Sequence, residues 1–288
     1  MHDPALVKHR ENLIIICKAE REINKLSEML RQAFRINRMR THSAGFPIMT
    51  NINSENVDPA EVTKFDRLAA RWWDLEGDFR TLHTLNPLRL DYIEHHAGLQ
   101  GKRILDIGCG GGILAEGMVR RGATVTAIDA AEASLRVARL HRIESGIEVD
   151  YRCITAESLA EQEAGAYDVV VCMELLEHVP NPAVTIGACA KLVKPGGDCF
   201  FSTINRNPKA WLFAIVGGEY LFRLLPKGSH DYTKFIRPSE LEQWGRDAGF
   251  LLKNLQGISY NPLTDYFRLT SDVDVNYIAW MRMCTLHE

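Results

Sequence analysis

One seven-residue stretch constrains this chain more than any other: Asp106-Ile107-Gly108-Cys109-Gly110-Gly111-Gly112. It follows a short apolar run over 103–107 and opens a helical pattern over 112–121. Glycines at a strand-to-helix turn permit a tight bend and a close approach of ligand to backbone. A second apolar run, 124–128, ends at Asp129, 21 residues after Gly108. An acid there can accept hydrogen bonds from both hydroxyls of a ribose. Downstream, helical and strand patterns alternate: a helix over 131–144 closed by Gly146, strands over 149–153, 167–172 and 198–203, and a helix opened by Asn181-Pro182. Lys194-Pro195-Gly196-Gly197 reads as the turn into the last of these strands. Strands alternating with helices imply an α/β fold with a doubly wound, mostly parallel sheet.

Two helices precede the sheet. Asp58-Pro59-Ala60-Glu61 supplies an N-cap, a proline at the first helical position and an acid at the capping-box position, so a helix should run from there to about 73. Asn86-Pro87 reads as the start of another, ended by Gly98. A third helix is expected from about Pro238.

The loop and Asp129 fit either of two nucleotide ligands, NAD or S-adenosylmethionine. A dinucleotide fingerprint calls for glycine at 113, where this chain has Ile113. Asp106 would repel a pyrophosphate but suits a ligand that carries an ammonium and a sulfonium. Together these choose S-adenosylmethionine over a ligand-free glycine turn or a dinucleotide.

At this point the chain resembles a known family. Arg71-Trp72-Trp73-Asp74-Leu75-Glu76-Gly77, Asn86-Pro87-Leu88-Arg89-Leu90, the loop from Leu105 to Leu114, and Asp272-Val273-Asp274-Val275-Asn276-Tyr277 look like the bacterial ubiquinone-biosynthesis O-methyltransferases, members of the class I, Rossmann-like methyltransferases. The likeness runs over about 57–277, and the double tryptophan and the C-terminal motif are more specific than the glycine loop. It implies a seven-stranded sheet with N-terminal helices and an apolar insertion before the C-terminal strands. It also implies cofactor contacts at Arg89, Gly108, Asp129 and Met173, beside Asp106 and Gly110 of the loop itself. Arg89 suits a bidentate pair with the methionine carboxylate, and Met173 a polarizable lid on adenine. Thr155-Ala156-Glu157 sits where such folds approach adenine. The implied reaction is methyl transfer to phenolic hydroxyls of polyprenylated rings, a 2-polyprenyl-6-hydroxyphenol and a 3-demethylubiquinol.

A phenol with a pKa of about 10 reacts poorly near neutrality unless a base or a metal assists. Glu174, Glu177 and His178 lie just past the fourth strand, at spacing i, i+3, i+4, which on a helical turn is one face. Three readings stand: a site for Mg²⁺ or another divalent cation, Zn²⁺ included; catalysis by His178, with Glu174, as direct base; or a purely structural turn. The mitochondrial relatives of the family are described with such a metal site, and the residue types match.

Between the fifth strand and Pro238 an insertion of about 206–235 combines large apolar residues with basic flanks. Its segment 209–227, from Lys209 and Trp211 to Pro226 and Lys227, reads either as an interfacial membrane contact, which suits a polyprenylated substrate, or as a buried helix covering the substrate pocket. The expected setting is cytoplasmic, peripheral on the inner membrane, with association to other enzymes of ubiquinone synthesis. Nothing reads as a signal peptide or a membrane-spanning helix. A formal net charge of -3 argues against nucleic acid as a partner. The seven cysteines are scattered, with no CxxC pair, and are read as buried thiols in a reducing compartment. Residues 1–49 carry nine Lys/Arg against five Asp/Glu, and Met49 offers a second start. They are read as an N-terminal extension, set apart from the native start that Met49 offers, ahead of a methyltransferase domain over 50–288. Two other functions compete: methylation of another small phenol or of RNA, and a non-catalytic cofactor-binding partner in a membrane-bound biosynthetic complex.

Overall fold

The computed structural model describes residues 56–210, 231–261, 264 and 266–285, all within the unit Thr50–Glu288. The expectations for residues 1–49 and for most of the segment 209–227 lie outside the described residues.

The first helix, α1 (Pro59–Leu68), starts as its sequence dictates: Asp58 caps it, accepting a hydrogen bond from the Ala60 N–H at 2.9 Å, and Pro59 needs no partner at the first position. A 3-10 turn (Ala69–Arg71) continues it. Glu61 does not close a capping box; its carboxylate is engaged elsewhere, by His178, Lys64 and Lys234.

Helix α2 (Arg80–Ala97) begins six residues before the expected Asn86-Pro87 start and carries Pro87 inside it. Pro87 merely withholds one N–H from the ladder. Asn86 is no cap, because its side-chain amide instead donates to the Ile113 carbonyl at 3.1 Å.

Eight strands form one sheet in the order β3-β2-β1-β4-β5-β8-β6-β7. The parallel part comprises β1 (Arg103–Ile107), β2 (Thr124–Asp129), β3 (Asp150–Cys153), β4 (Tyr167–Met173) and β5 (Val193–Ile204). Antiparallel β8 (Asn276–Met283), β6 (Phe250–Asn261) and β7 (Tyr266–Thr270) complete it. The sheet thus has one strand beyond the seven expected: β7 folds back on β6, pairing Phe267 with Tyr260 at the edge. The Lys194–Gly197 stretch belongs to β5, as an irregularity between Val193 and Asp198, with Gly196 at φ 72°.

Helices α3 (Ile113–Arg120), α4 (Glu132–Ser145), α5 (Ala156–Ala160), α6 (Pro182–Leu192) and α7 (Pro238–Asp247) follow their strands. Alternation along each strand splits the core in two. Ile104, Val125, Val169 and Phe200 pack under α2, α3 and α4, and Leu105, Ile107, Val170 and Phe201 pack under α5, α6 and α7. Buried Cys172, Cys189 and Cys199 serve in the second layer as small hydrophobes. Because β1 is flanked by β2 and by β4, the chain reverses direction there. A crevice opens at the carboxyl ends of those strands, where ligands bind in doubly wound sheets.

Candidate active site

The glycine loop fills that crevice. The N–H groups of Gly108 and Cys109 donate to the Ile128 carbonyl at 2.9 and 3.1 Å, stitching the loop to the end of β2. Asp129 completes the stitch, one carboxylate oxygen accepting from the Gly110 N–H at 2.8 Å and the other from the Ala131 N–H at 2.7 Å.

Glycine is required at 110 and 111 by the close approach of Trp72. A Cβ at Gly110 would lie 2.4 Å from the Trp72 ring and one at Gly111 would lie 2.5 Å from its Cγ. Trp72 is itself fixed, stacked on Phe79 at 3.7 Å between centroids and donating from Nε1 to Ser134 at 3.2 Å. Trp73 Nε1 donates to the Gly111 carbonyl at 2.9 Å, and its ring stacks on His141, which pairs through Nδ1 with the buried Glu116. The double tryptophan therefore clamps the cofactor loop from outside the sheet.

A cavity of about 760 Å³ lies against the loop. Arg89, Asp106, Gly108, Gly110, Asp129 and Met173 all line it, together with Thr155, Ala156 and Glu157. Asp106 is buried in β1, and its Oδ2 has no hydrogen-bond partner. Burial, and then the charge of Asp129, push its carboxyl up to about 7, while Arg89 pulls it down. Burial likewise raises Asp129 above its ordinary value. Two crowded acids with an open oxygen fit a cationic ligand, as the ammonium of S-adenosylmethionine requires. Arg89 is also buried, with its Nε unpaired and one terminal nitrogen 2.6 Å from Glu174 Oε1, so a carboxylate fits beside it.

The three acceptor-side residues do not converge as their spacing suggested. Glu174 sits at φ 52°, in the left-handed region, and Leu176–His178 is a 3-10 turn, so positions i, i+3 and i+4 do not share a face. Glu174 accepts from Arg89 and, at 2.8 Å, from Ser202. Glu177 is buried away from the cavity, accepting from Thr203 at 2.8 Å, and burial pushes it up to about 7. His178 faces another element altogether: its Nδ1 lies 3.0 Å from Glu61 Oε2 on α1, and Phe65 meets its ring edge-on at 5.2 Å. A metal held by Glu174, Glu177 and His178 does not fit this arrangement, and no other group of three His, Cys, Asp or Glu suited to a metal occurs among the described residues.

Of the expected acceptor-side residues, Glu174 and His178 do line the cavity, joined by residues that the sequence did not mark, Glu61, Phe65, Leu68, Ile258 and Phe267. The hydrogen bond to His178, more than the neighbouring charges, keeps Glu61 down to about 2 despite burial, so it is ionised.

The sheet order, the glycine loop and the acid-lined crevice define a class I methyltransferase that uses S-adenosylmethionine. Residues 64–255 match the family model described as "Methyltransferase domain". The chain is 61% identical over 224 residues to the "Ubiquinone biosynthesis O-methyltransferase" of Pseudomonas aeruginosa (strain LESB58), covering 78% of this chain and 97% of that protein. It is 62% identical over 228 residues to the protein of the same name from Saccharophagus degradans, covering 79% and 97%. Among solved structures, magnesium protoporphyrin IX methyltransferase from Synechocystis with bound SAH shares the fold. Its TM-score is 0.55 at 17% identity, over 77% of this chain and 94% of that one. The chain belongs to the ubiquinone biosynthesis O-methyltransferase family.

Proposed function

We propose that this enzyme methylates phenolic hydroxyls of polyprenylated rings, a 2-polyprenyl-6-hydroxyphenol and a 3-demethylubiquinol. The supporting observation is the mixed lining of one cavity, a polar set of Asp106, Asp129, Glu174 and His178 together with an apolar set of Phe65, Leu68, Ile258 and Phe267. A ring bearing a hydrocarbon tail matches those two surfaces, one polar and one apolar.

Bound S-adenosylmethionine supplies an electrophilic methyl group on a positively charged sulfur. Arg89 would hold the carboxylate end of that ligand, Asp106 its ammonium and Asp129 its ribose hydroxyls, while Met173 would pack on its base. His178 takes the phenolic proton as the oxygen attacks. The O–CH₃ bond forms, the S–CH₃ bond breaks, and the proton passes from the imidazolium to solvent. General-base assistance of this kind contributes about 10²–10⁴-fold. Glu174, tied to Arg89 and Ser202, keeps the guanidinium in place rather than acting on the phenol.

The tail implies work at a membrane surface. No helix among the described residues is long and apolar enough to cross a membrane. The composition of 209–227 supports peripheral attachment to a membrane surface, and the family's synthesis would put that surface on the cytoplasmic side of the inner membrane, beside the other enzymes of the same synthesis. Transfer of labelled methyl from S-adenosylmethionine to a short-chain demethylubiquinol by the purified protein tests the substrate. No transfer to it, with transfer to a tail-less catechol, would overturn the reading. Co-sedimentation with anionic liposomes tests the membrane contact, and changing both Trp211 and Phe213 to Ser should abolish it.

A further inference from the structure

We propose that Glu61 is a positioning residue for the reaction, acting through His178. The first helix of the domain therefore carries part of the catalytic machinery, beyond its place as a wall of the cavity. This rests on the reading of His178 as the base.

Glu61 Oε2 lies 3.0 Å from His178 Nδ1, and the two residues are 117 positions apart in the chain. Both side chains are largely enclosed, at 18% and 11% exposure. Both line the one cavity to which the proposed function assigns methyl donor and acceptor. The carboxylate is fixed from its other sides. Lys64 approaches the same oxygen at 3.3 Å, and Lys234 reaches Oε1 at 3.3 Å while also binding Asp58 at 3.1 Å. Phe65, one turn beyond Glu61, sets its ring at 89° to the imidazole. Three stretches of chain thus meet at the Glu61–His178 pair: α1, the turn after β4, and the end of the insertion at Lys234, which reaches Glu61.

The chemical consequence lies in the imidazole tautomer. A carboxylate accepts and cannot donate, so a neutral His178 beside ionised Glu61 must carry its proton on Nδ1. Nε2 is then the basic nitrogen, and the ring plane is set by Glu61 on one side and Phe65 on another. The imidazolium formed when the phenol gives up its proton is stabilised by the same carboxylate. An acid that orients a histidine and supports its cation is a recurring device wherever an imidazole activates a hydroxyl. A salt bridge that merely tied α1 to its surroundings is already supplied by Lys234 and Asp58 without a histidine.

The test compares Glu61→Gln, Glu61→Ala, His178→Ala and the double variant Glu61→Gln/His178→Ala. Single-turnover methyl transfer is followed for each, with the KM for S-adenosylmethionine and the thermal midpoint. The ¹⁵N shifts of the His178 ring report its tautomer. Loss of orientation should slow transfer by about 10–100-fold in Glu61→Gln, within the range general-base catalysis supplies. The KM for the methyl donor should stay within about threefold, and the ring of His178 should lose its single Nδ1–H tautomer. In the His178→Ala background, Glu61→Gln should cost nothing more, because residues acting as a unit are non-additive. If Glu61→Gln slows transfer equally with and without His178, or leaves rate and tautomer unchanged, the proposal is wrong although His178 stands as base. If His178→Ala keeps the full rate, the base reading itself falls. A fall in thermal midpoint that tracks the rate across all variants, with the tautomer preserved, would leave Glu61 a structural tie and overturn the proposal.

Discussion

Replacing Gly111 by alanine isolates the contact between the cofactor loop and the double tryptophan. The new Cβ would stand 2.5 Å from Trp72 Cγ, 2.6 Å from its Cβ and 2.9 Å from Cδ2. Unstrained carbon contacts lie at about 3.5–4.0 Å, so the tryptophan or the loop must move by about 1 Å. The clash involves the stem of Trp72, and its ring is held by Phe79 and Ser134, so the side chain cannot swing clear. The backbone of Gly111 is outside the left-handed region, so φ adds no penalty there. Overpacking costs about 1–3 kcal/mol, against which alanine recovers about 0.4–1 kcal/mol from a less flexible unfolded chain. The expected net loss is on the order of 1–2 kcal/mol in urea unfolding. Binding of S-adenosylhomocysteine, measured by calorimetry, should weaken as well, because the loop that moves is the one that cradles it. The decisive arm is Trp72→Ala. By itself it is costly, about 3–5 kcal/mol for a large buried aromatic. In that background, however, Gly111→Ala has nothing to strike, and its penalty should shrink to within about 0.5 kcal/mol. An equal penalty in both backgrounds, or none in either, would refute the clamp.

Other outcomes follow from the same geometry. Asp129→Ala leaves the Gly110 and Ala131 N–H groups without their acceptor and should cost about 1–3 kcal/mol in stability, with tenfold or greater weakening of S-adenosylhomocysteine binding by calorimetry. Asp106 keeps its proton in the fold up to about 7, against an ordinary 3.8, so its contribution to stability is full below the ordinary value and is lost as pH rises through about 7. Binding of a ligand ammonium runs the other way, strengthening as Asp106 ionises. Calorimetric affinity for S-adenosylhomocysteine should therefore climb across pH 6–8, and Asp106→Asn should flatten the slope. Chelation with EDTA should leave methyl transfer intact, since Glu174, Glu177 and His178 are each committed to different partners; a loss restored by added Mg²⁺ would contradict that arrangement. Asn56→Ala removes bonds to Glu157, Asn181 and Thr185 at once and should lower stability by about 2–4 kcal/mol in urea unfolding.

The parts of the fold legible in the sequence are those whose cause is local. β1 and its glycine loop, the Asp58 cap and the Gly146 helix end each depend on a few adjacent residues, and each appears where the pattern put it. Asn86-Pro87 misled because a good local start signal was overridden: Asn86 spends its amide on Ile113, and the helix tolerates the proline. The extra strand β7 carries no strong alternating signal, since its existence depends on the exposed edge that β6 offers. At the site, the residues expected to hold the cofactor line one cavity because one strand–loop–helix unit and the end of the next strand supply most of them.

The acceptor side was not, and the reason is physical. Its spacing was read on an α-helical period, yet Glu174 in the left-handed region and the 3-10 turn after it abolish that period. What replaces the expected cluster comes from far along the chain. Glu61 satisfies a capping pattern within four residues, and no local rule distinguishes an acid that caps from one that reaches a histidine 117 residues away. The same holds for Trp72, whose partner glycines look sufficient as turn formers until the ring is found against them. Local pattern thus marks the crevice and its glycine loop, whereas long-range contacts from the N-terminal helices decide how the loop is held and what faces His178.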